Sequence, residues 1–270
     1  MTTPTFSRRF GLSLLLAAVS SLLAACTAFA SPADPAVRQA LAPTGVLRVG
    51  VYPGSPTSLV RDPKTGKSAG VALELGQALG QQLGVPVQVV EFSRLALVLD
   101  GVKAGAVDFT FTNATEVRAR DMDFTEPLIR LELGYLVPPQ STLTVNDVDR
   151  TGVRIGVAQG SSSQGALGRL YKNAALVPAA SLAQAQQMLR EGQLDAFATN
   201  KGILFEMSNE LPGYRVLDGR WGLESLAIAI PKGREAGMAY LRQFARDAQS
   251  SGRLQTIVAA AGLRGLAGAD

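Results

Sequence analysis

Short apolar runs alternate along this chain with longer stretches in which apolar residues recur every two to four positions. Val46–Val51 reads as a strand. Val71–Leu83 carries Val71, Leu73, Leu75, Leu79 and Leu83, with Glu74 on the other side, and predicts a helix. Pro86–Val90 is a strand, Leu95–Lys103 a helix ended by Gly105, and Asp108–Thr112 a strand. Thr115–Arg120 starts a helix that Asp121–Pro127 terminates, and Leu133–Val137 is a strand closed by Pro138–Pro139. The alternation then restarts. Val153–Ala158 is a strand running through Gly160-Ser161-Ser162-Ser163 into a helix. Leu182–Arg190 is a helix, Asp195–Thr199, Tyr214–Leu217 and Ser225–Ile230 are strands, and helices follow over Glu235–Ser250 and from Arg253. Strand–helix alternation in two blocks predicts an α/β fold with mostly parallel sheets in two lobes. Ligands of such sheets sit beyond the carboxyl ends of the strands, and the default site is the cleft between the lobes.

The first thirty residues follow a different pattern. Arg8 and Arg9 precede an apolar stretch from Phe10 to Ala25, interrupted by Ser13, Ser20 and Ser21. That is short of the ~20 apolar residues a membrane span needs, and reads as an export signal. Two cleavage sites compete. Leu23-Ala24-Ala25-Cys26 resembles a lipobox, which makes Cys26 a candidate for lipidation, and Ala28-Phe29-Ala30 fits the ordinary small-residue rule before Ser31. Ser7-Arg8-Arg9 also hints at twin-arginine export, although Gly11 stands where that pattern prefers an aromatic. Every version places the mature protein outside the cytoplasm. Residues 31–43, with Pro32, Pro35 and Pro43, read as a tether.

Composition narrows the chemistry. The 270 residues are 47% hydrophobic and 18% charged, which suits a packed core. Removing Arg8 and Arg9 leaves 24 basic residues against 22 acidic, or +2, and no Lys/Arg run interleaves with aromatics, so nucleic acid is not an expected partner. The absence of histidine excludes Ser-His-Asp and Cys-His catalysis and nearly all catalytic zinc sites. A lone cysteine makes neither an internal disulfide nor a metal cluster. Neither a metal nor a cofactor is expected. Thr65-Gly66-Lys67-Ser68 looks like the end of a phosphate loop, but Arg61 stands where that loop needs glycine, so it reads as a turn.

Five fragments in order carry a family resemblance: Gly70–Leu75, Leu99–Asp108, Thr115-Glu116-Val117-Arg118 with Phe124-Thr125-Glu126-Pro127 six residues beyond, Val153–Ala158 before Gly160-Ser161-Ser162, and Gly192–Ala196. The chain resembles the bacterial extracellular solute-binding proteins of the polar amino-acid type, family 3, with the periplasmic type II fold. The resemblance implies a periplasmic receptor, expected to be monomeric, that captures a small polar or anionic solute and presents it to an ABC permease in the inner membrane. Membrane contact would come only through a lipid on Cys26. It further implies lobe 1 over residues 44–132 plus 224–270, lobe 2 over 133–223, and hinge crossings near Leu131–Tyr135 and Trp221–Ser225.

The same resemblance assigns candidate ligand-binding residues. Arg118 would hold the ligand carboxylate, a task suited to a planar, permanently charged guanidinium. Ser161 and Ser162, at a strand-to-helix turn, offer an anion seat and also an ordinary helix cap. Asn113 lies five residues before Arg118, where relatives often contact the ligand, and Tyr52 or Ser55 is the candidate from the first turn. Asn200 stands where relatives usually carry an aspartate for the ligand ammonium. With Arg94 and Lys201 nearby, that substitution suggests a cationic cleft and an anionic ligand. Two alternatives remain at this stage. One is a cyclohexadienyl-dehydratase-like enzyme using Glu91, Asp108 or Glu224 as the acid. The other is a sensor acting in trans.

Overall fold

The computed structural model describes residues 1–3 and 33–268; Cys26, both cleavage sites and the apolar leader lie outside the described residues. No helix among the described residues is long and apolar enough to cross a membrane.

Residues 31–43, expected to form a tether, hold a helix over Pro35–Leu41. Local chemistry explains the difference. Asp34 accepts a hydrogen bond from the Ala36 N–H as N-cap, and Pro35 takes the first helical position, where a missing N–H is harmless. Leu41 is then buried, in contact range of Gly237 in the helix Glu235–Ser250.

The helices Val71–Leu83, Leu95–Lys103, Leu182–Arg190 and Glu235–Ser250 form over the residues their periodicity predicts. Leu75, Leu79 and Leu83 are all fully buried, and each such side chain contributes about 1.5–3 kcal/mol. Gly76 lets this helix lie close on the strand Leu47–Val51, since a Cβ there would come within 2.5 Å of Val49. The expected helix at Thr115 is instead a single 3-10 turn over Arg118–Arg120. It ends because Met122–Phe124 is taken up as a strand by Gly222–Pro231. The strand Ala175–Ala179 and the helix Lys201–Glu210 were not anticipated from the pattern. Residues 65–68 form a turn and the start of a two-residue strand, as read.

Parallel pairing occupies the centre of each block: Leu47–Val51 with Val87–Glu91, and Arg154–Ala158 between Ala175–Ala179 and Ala196–Asn200. Antiparallel pairs enter with two long strands, Ile129–Val137 and Gly222–Pro231. These strands run side by side from Gly222 opposite Leu133 to Leu226 opposite Ile129. They are also where the hydrophobic core changes. Leu128, Ile129, Leu131, Leu226, Ile228 and Ile230 pack with the core of residues 33–83 and 238–263. Tyr135, Leu136, Val137 and Leu217 pack with cores built only from residues 135–221. The fold is therefore two-lobed, with both crossings on one hydrogen-bonded ribbon.

Each lobe is locked by the same device. Asp108 accepts from the backbone N–H of Arg48 at 2.9 Å, and its carboxylate is gripped by Arg48 Nε and Nη2 at 2.8 and 2.7 Å. Asp195 does likewise with Arg154: backbone N–H at 2.7 Å, Nε at 3.0 Å and Nη2 at 2.9 Å. The Gly-x-x-Asp fragments at Gly105–Asp108 and Gly192–Asp195 thus tie a strand start to the turn after a helix. Asp108 also pairs with Arg234 at 2.8 Å and is fully buried. This fixes Asp108 as a structural anion, away from the cleft, and not as a candidate acid.

Candidate functional site

Between the lobes lies a cavity lined from both sides. Tyr52, Pro53, Thr57, Arg94, Phe111, Asn113, Arg118 and Glu224 come from one lobe, and Gln159, Ser161, Ser162, Ser181, Thr199 and Asn200 from the other. Three of all its lining residues are charged: Arg94, Arg118 and Glu224.

Arg118 owes its position to the 3-10 turn. Thr115 Oγ1 accepts from the Arg118 N–H, and the turn leaves Arg118 8% exposed while Arg120, two residues on, stays exposed. Its Nη1 donates to Thr112 Oγ1 at 2.8 Å and to the Asn113 carbonyl at 3.1 Å. Both acceptors are neutral. Burial pushes its pKa below the ordinary value, while Glu224 and Tyr52 act in the opposite direction. The guanidinium is thus desolvated, and its two hydrogen-bond acceptors carry no charge.

Asn113 bridges the lobes. Its Nδ2 donates to Ser162 Oγ at 3.1 Å, and its Oδ1 accepts from the Ser225 N–H at 3.0 Å. Ser161 caps the helix Ser162–Leu170, accepting from the Gln164 N–H at 3.1 Å, while the Gln164 side chain accepts from Gly160 N–H at 2.7 Å. Arg94 makes a second bridge, donating from Nη1 to Gln159 Oε1 at 3.0 Å. Tyr52 lines the cavity, and its N–H donates to Ser58 Oγ at 2.8 Å. Burial pushes its phenol pKa up, so it stays neutral. Ser55 does not reach the cavity wall. It is fully buried and shares a hydrogen bond with Thr57 at 2.8 Å, so Thr57 takes the lining place instead.

The surroundings of Asn200 change the charge balance expected from the sequence. Its Oδ1 accepts from the Ile203 N–H at 3.0 Å as N-cap of Lys201–Glu210, and its Nδ2 donates to Glu224 Oε1 at 2.7 Å. An acid is therefore present beside position 200, supplied from the crossing strand 24 positions later. Lys201 turns away and pairs with Glu132 at 2.6 Å, so it adds no charge to the cavity. Glu224 was anticipated only as a possible enzyme acid. The legible signal was a lone acid opening an otherwise apolar strand, but its place beside Asn200 depends on the register of the crossing strands. Glu91, the third acid considered, is paired with Arg61 on the exposed surface.

Burial pushes Glu224 up to about 7 from an ordinary 4.5, partly opposed by Arg118 and the Asn200 hydrogen bond. The unfolded chain releases this proton near 4.5, while the folded protein keeps it to about 7. Between those values the folded state binds more protons, so stability falls as pH rises through the window, by about 3 kcal/mol at most. Denaturant unfolding between pH 4.5 and 8 is expected to show this slope in the wild type. Glu224→Gln is expected to flatten it, and an unchanged slope would remove Glu224 as its source.

Residues 47–261 match the family model of the bacterial extracellular solute-binding proteins, family 3. The chain belongs to that family. This solute-binding protein is 26% identical over 179 residues to the glutamine-binding protein of Geobacillus stearothermophilus, covering 64% of this chain and 68% of the relative. It is 22% identical to the ABC transporter glutamine-binding protein GlnH of Bacillus subtilis, covering 73% and 74%. Its fold superposes with a TM-score of 0.74 on an amino acid ABC transporter substrate-binding protein of Streptococcus pneumoniae bound to L-arginine, at 22% identity, covering 83% and 97%. As a member of an extracellular family, the solute-binding protein acts outside the cytoplasm.

Proposed function

We propose that this solute-binding protein captures an α-amino acid in the interlobe cavity and hands it unchanged to an ABC permease. The observation that carries this reading is the presence of a buried cation, Arg118, and a buried acid, Glu224, in one cavity. Among the described residues no ion pair within 4 Å joins them, since the Glu224 carboxylate is held by Asn200 and the Arg118 guanidinium by Thr112 and Asn113. A zwitterion matches that separation. Its carboxylate satisfies Arg118 with the Ser161–Ser162 turn, and its ammonium meets Glu224, which takes over the role assigned in relatives to an aspartate at position 200. Glutamine, for which two of the relatives are named, and L-arginine, bound in the Streptococcus pneumoniae structure, belong to the same class. The lobes that close over the ligand are taken as residues 44–132 plus 224–270 and 133–223, which agrees with the separate cores. The Asn113–Ser162 and Arg94–Gln159 bridges would then form on closure.

Calorimetry at pH 6 in buffers of different ionisation enthalpy tests the reading. An ammonium beside Glu224 favours its ionised form, so binding is expected to release close to one proton. The matching acid without the amine should bind more weakly and release none. Equal affinity for both, with no proton release, would overturn the amino-acid reading. Recovery of the bound compound in altered form would overturn the transport role in favour of catalysis.

A further inference from the structure

The charge inventory of the cavity says more than that a zwitterion fits. Arg118 and Glu224 are matched by the backbone carboxylate and ammonium of an amino acid, which leaves Arg94 over. Arg94 lines the cavity, half-buried, beside Gln159. Its guanidinium donates to the neutral Gln159 amide, and among the described residues it meets no carboxylate within 4 Å.

A second observation points the same way. Arg94, Ser161, Ser181 and Asn200 are the N-cap residues of four helices, each nine or ten residues long, and all four line the cavity. Four helix N-termini converge on one cavity, and each favours negative charge. Against two guanidinium groups and four helix ends the cavity sets a single carboxylate. A zwitterion brings no net charge to this field. A basic side chain would add a cation where no second acid waits for it.

We infer that the captured amino acid carries a second carboxylate on its side chain, held by Arg94, so that the solute belongs to the acidic amino-acid class. This rests on the amino-acid reading above. It also places this receptor apart from the glutamine-binding relatives and the L-arginine-bound one. Arg94 has the geometry for the task, since its guanidinium already crosses the cleft, and a carboxylate is a better acceptor for it than an amide.

Calorimetric titration of the exported chain with L-glutamate, L-aspartate, L-glutamine, L-asparagine and L-lysine tests this. An acidic amino acid is expected to bind about tenfold or more tightly than its own amide, the difference made by one charge-assisted contact. L-lysine is expected to bind weakest. Arg94→Gln is expected to bring the acid-to-amide ratio close to one, and Arg94→Lys to retain most of it. An amide or L-lysine bound as tightly as the acids would overturn the inference and leave the amino-acid reading intact, as would a ratio untouched by Arg94→Gln. Failure of every amino acid to bind would overturn both.

Discussion

Arg118→Met is expected to abolish ligand capture while leaving the unliganded fold as stable as before, or more so. The side chain is buried and its guanidinium hydrogen-bonds only neutral oxygens, Thr112 Oγ1 and the Asn113 carbonyl. The folded protein thus carries a desolvated charge without a contacting counter-ion, and an apolar chain of similar length removes that strain on stability. For the ligand the balance reverses. Its carboxylate would enter a closed cavity and find no partner, a loss of about 2–5 kcal/mol, or roughly 30-fold to several-thousand-fold in affinity. Paired measurements of thermal midpoint and calorimetric affinity check both halves. An affinity within a few-fold of wild type would remove Arg118 from the site. A sharp fall in the unliganded midpoint would show that its role is structural.

Asp108→Ala gives the opposite pattern, a large loss of stability with ligand affinity preserved in whatever protein remains folded. Its fully buried carboxylate joins the backbone and side chain of Arg48 to Arg234, whose side chains are only 20% and 11% exposed. Removing the anion leaves two poorly solvated cations facing one another, at a cost of about 3–5 kcal/mol. Asp195→Ala removes the equivalent anion from the other lobe, but there the side chains of Arg154 and Asp195 are 43% and 36% exposed. Water can replace that carboxylate, and the loss should be markedly smaller. Urea unfolding of the two variants checks the ranking. Equal losses would mean that burial does not separate the two locks.

Periodicity marked the long helices because each buries one face against a sheet, and that demand is written in local spacing. Val71–Leu83 and Glu235–Ser250 were legible for this reason. Arg118 was singled out because its Thr-x-x-Arg fragment resembles the family's, and that fragment is local, with the Thr115 hydroxyl accepting from the Arg118 N–H. Three other features were not local. The turn at Arg118 stops after three residues because a strand distant in sequence, Gly222–Pro231, captures Met122–Phe124. Lys201 sits next to Asn200 in sequence, yet it faces Glu132 on a neighbouring strand, so the cleft lacks the cation its sequence position suggested. Glu224 carries no mark of a ligand-binding acid in the sequence. It reaches the cavity because the antiparallel register of Gly222–Pro231 sets it opposite Leu131 at the crossing, with Asn200 2.7 Å from its carboxylate.

The sequence by itself therefore determined the two-lobed α/β fold, through the short-range pattern of its elements, and the family, through five short fragments in order, and it marked Arg118 as a candidate. The tertiary structure decided which charges share the cavity. Side-chain direction and burial follow from strand register and from which helix end points inward, and those are settled only when distant segments pair.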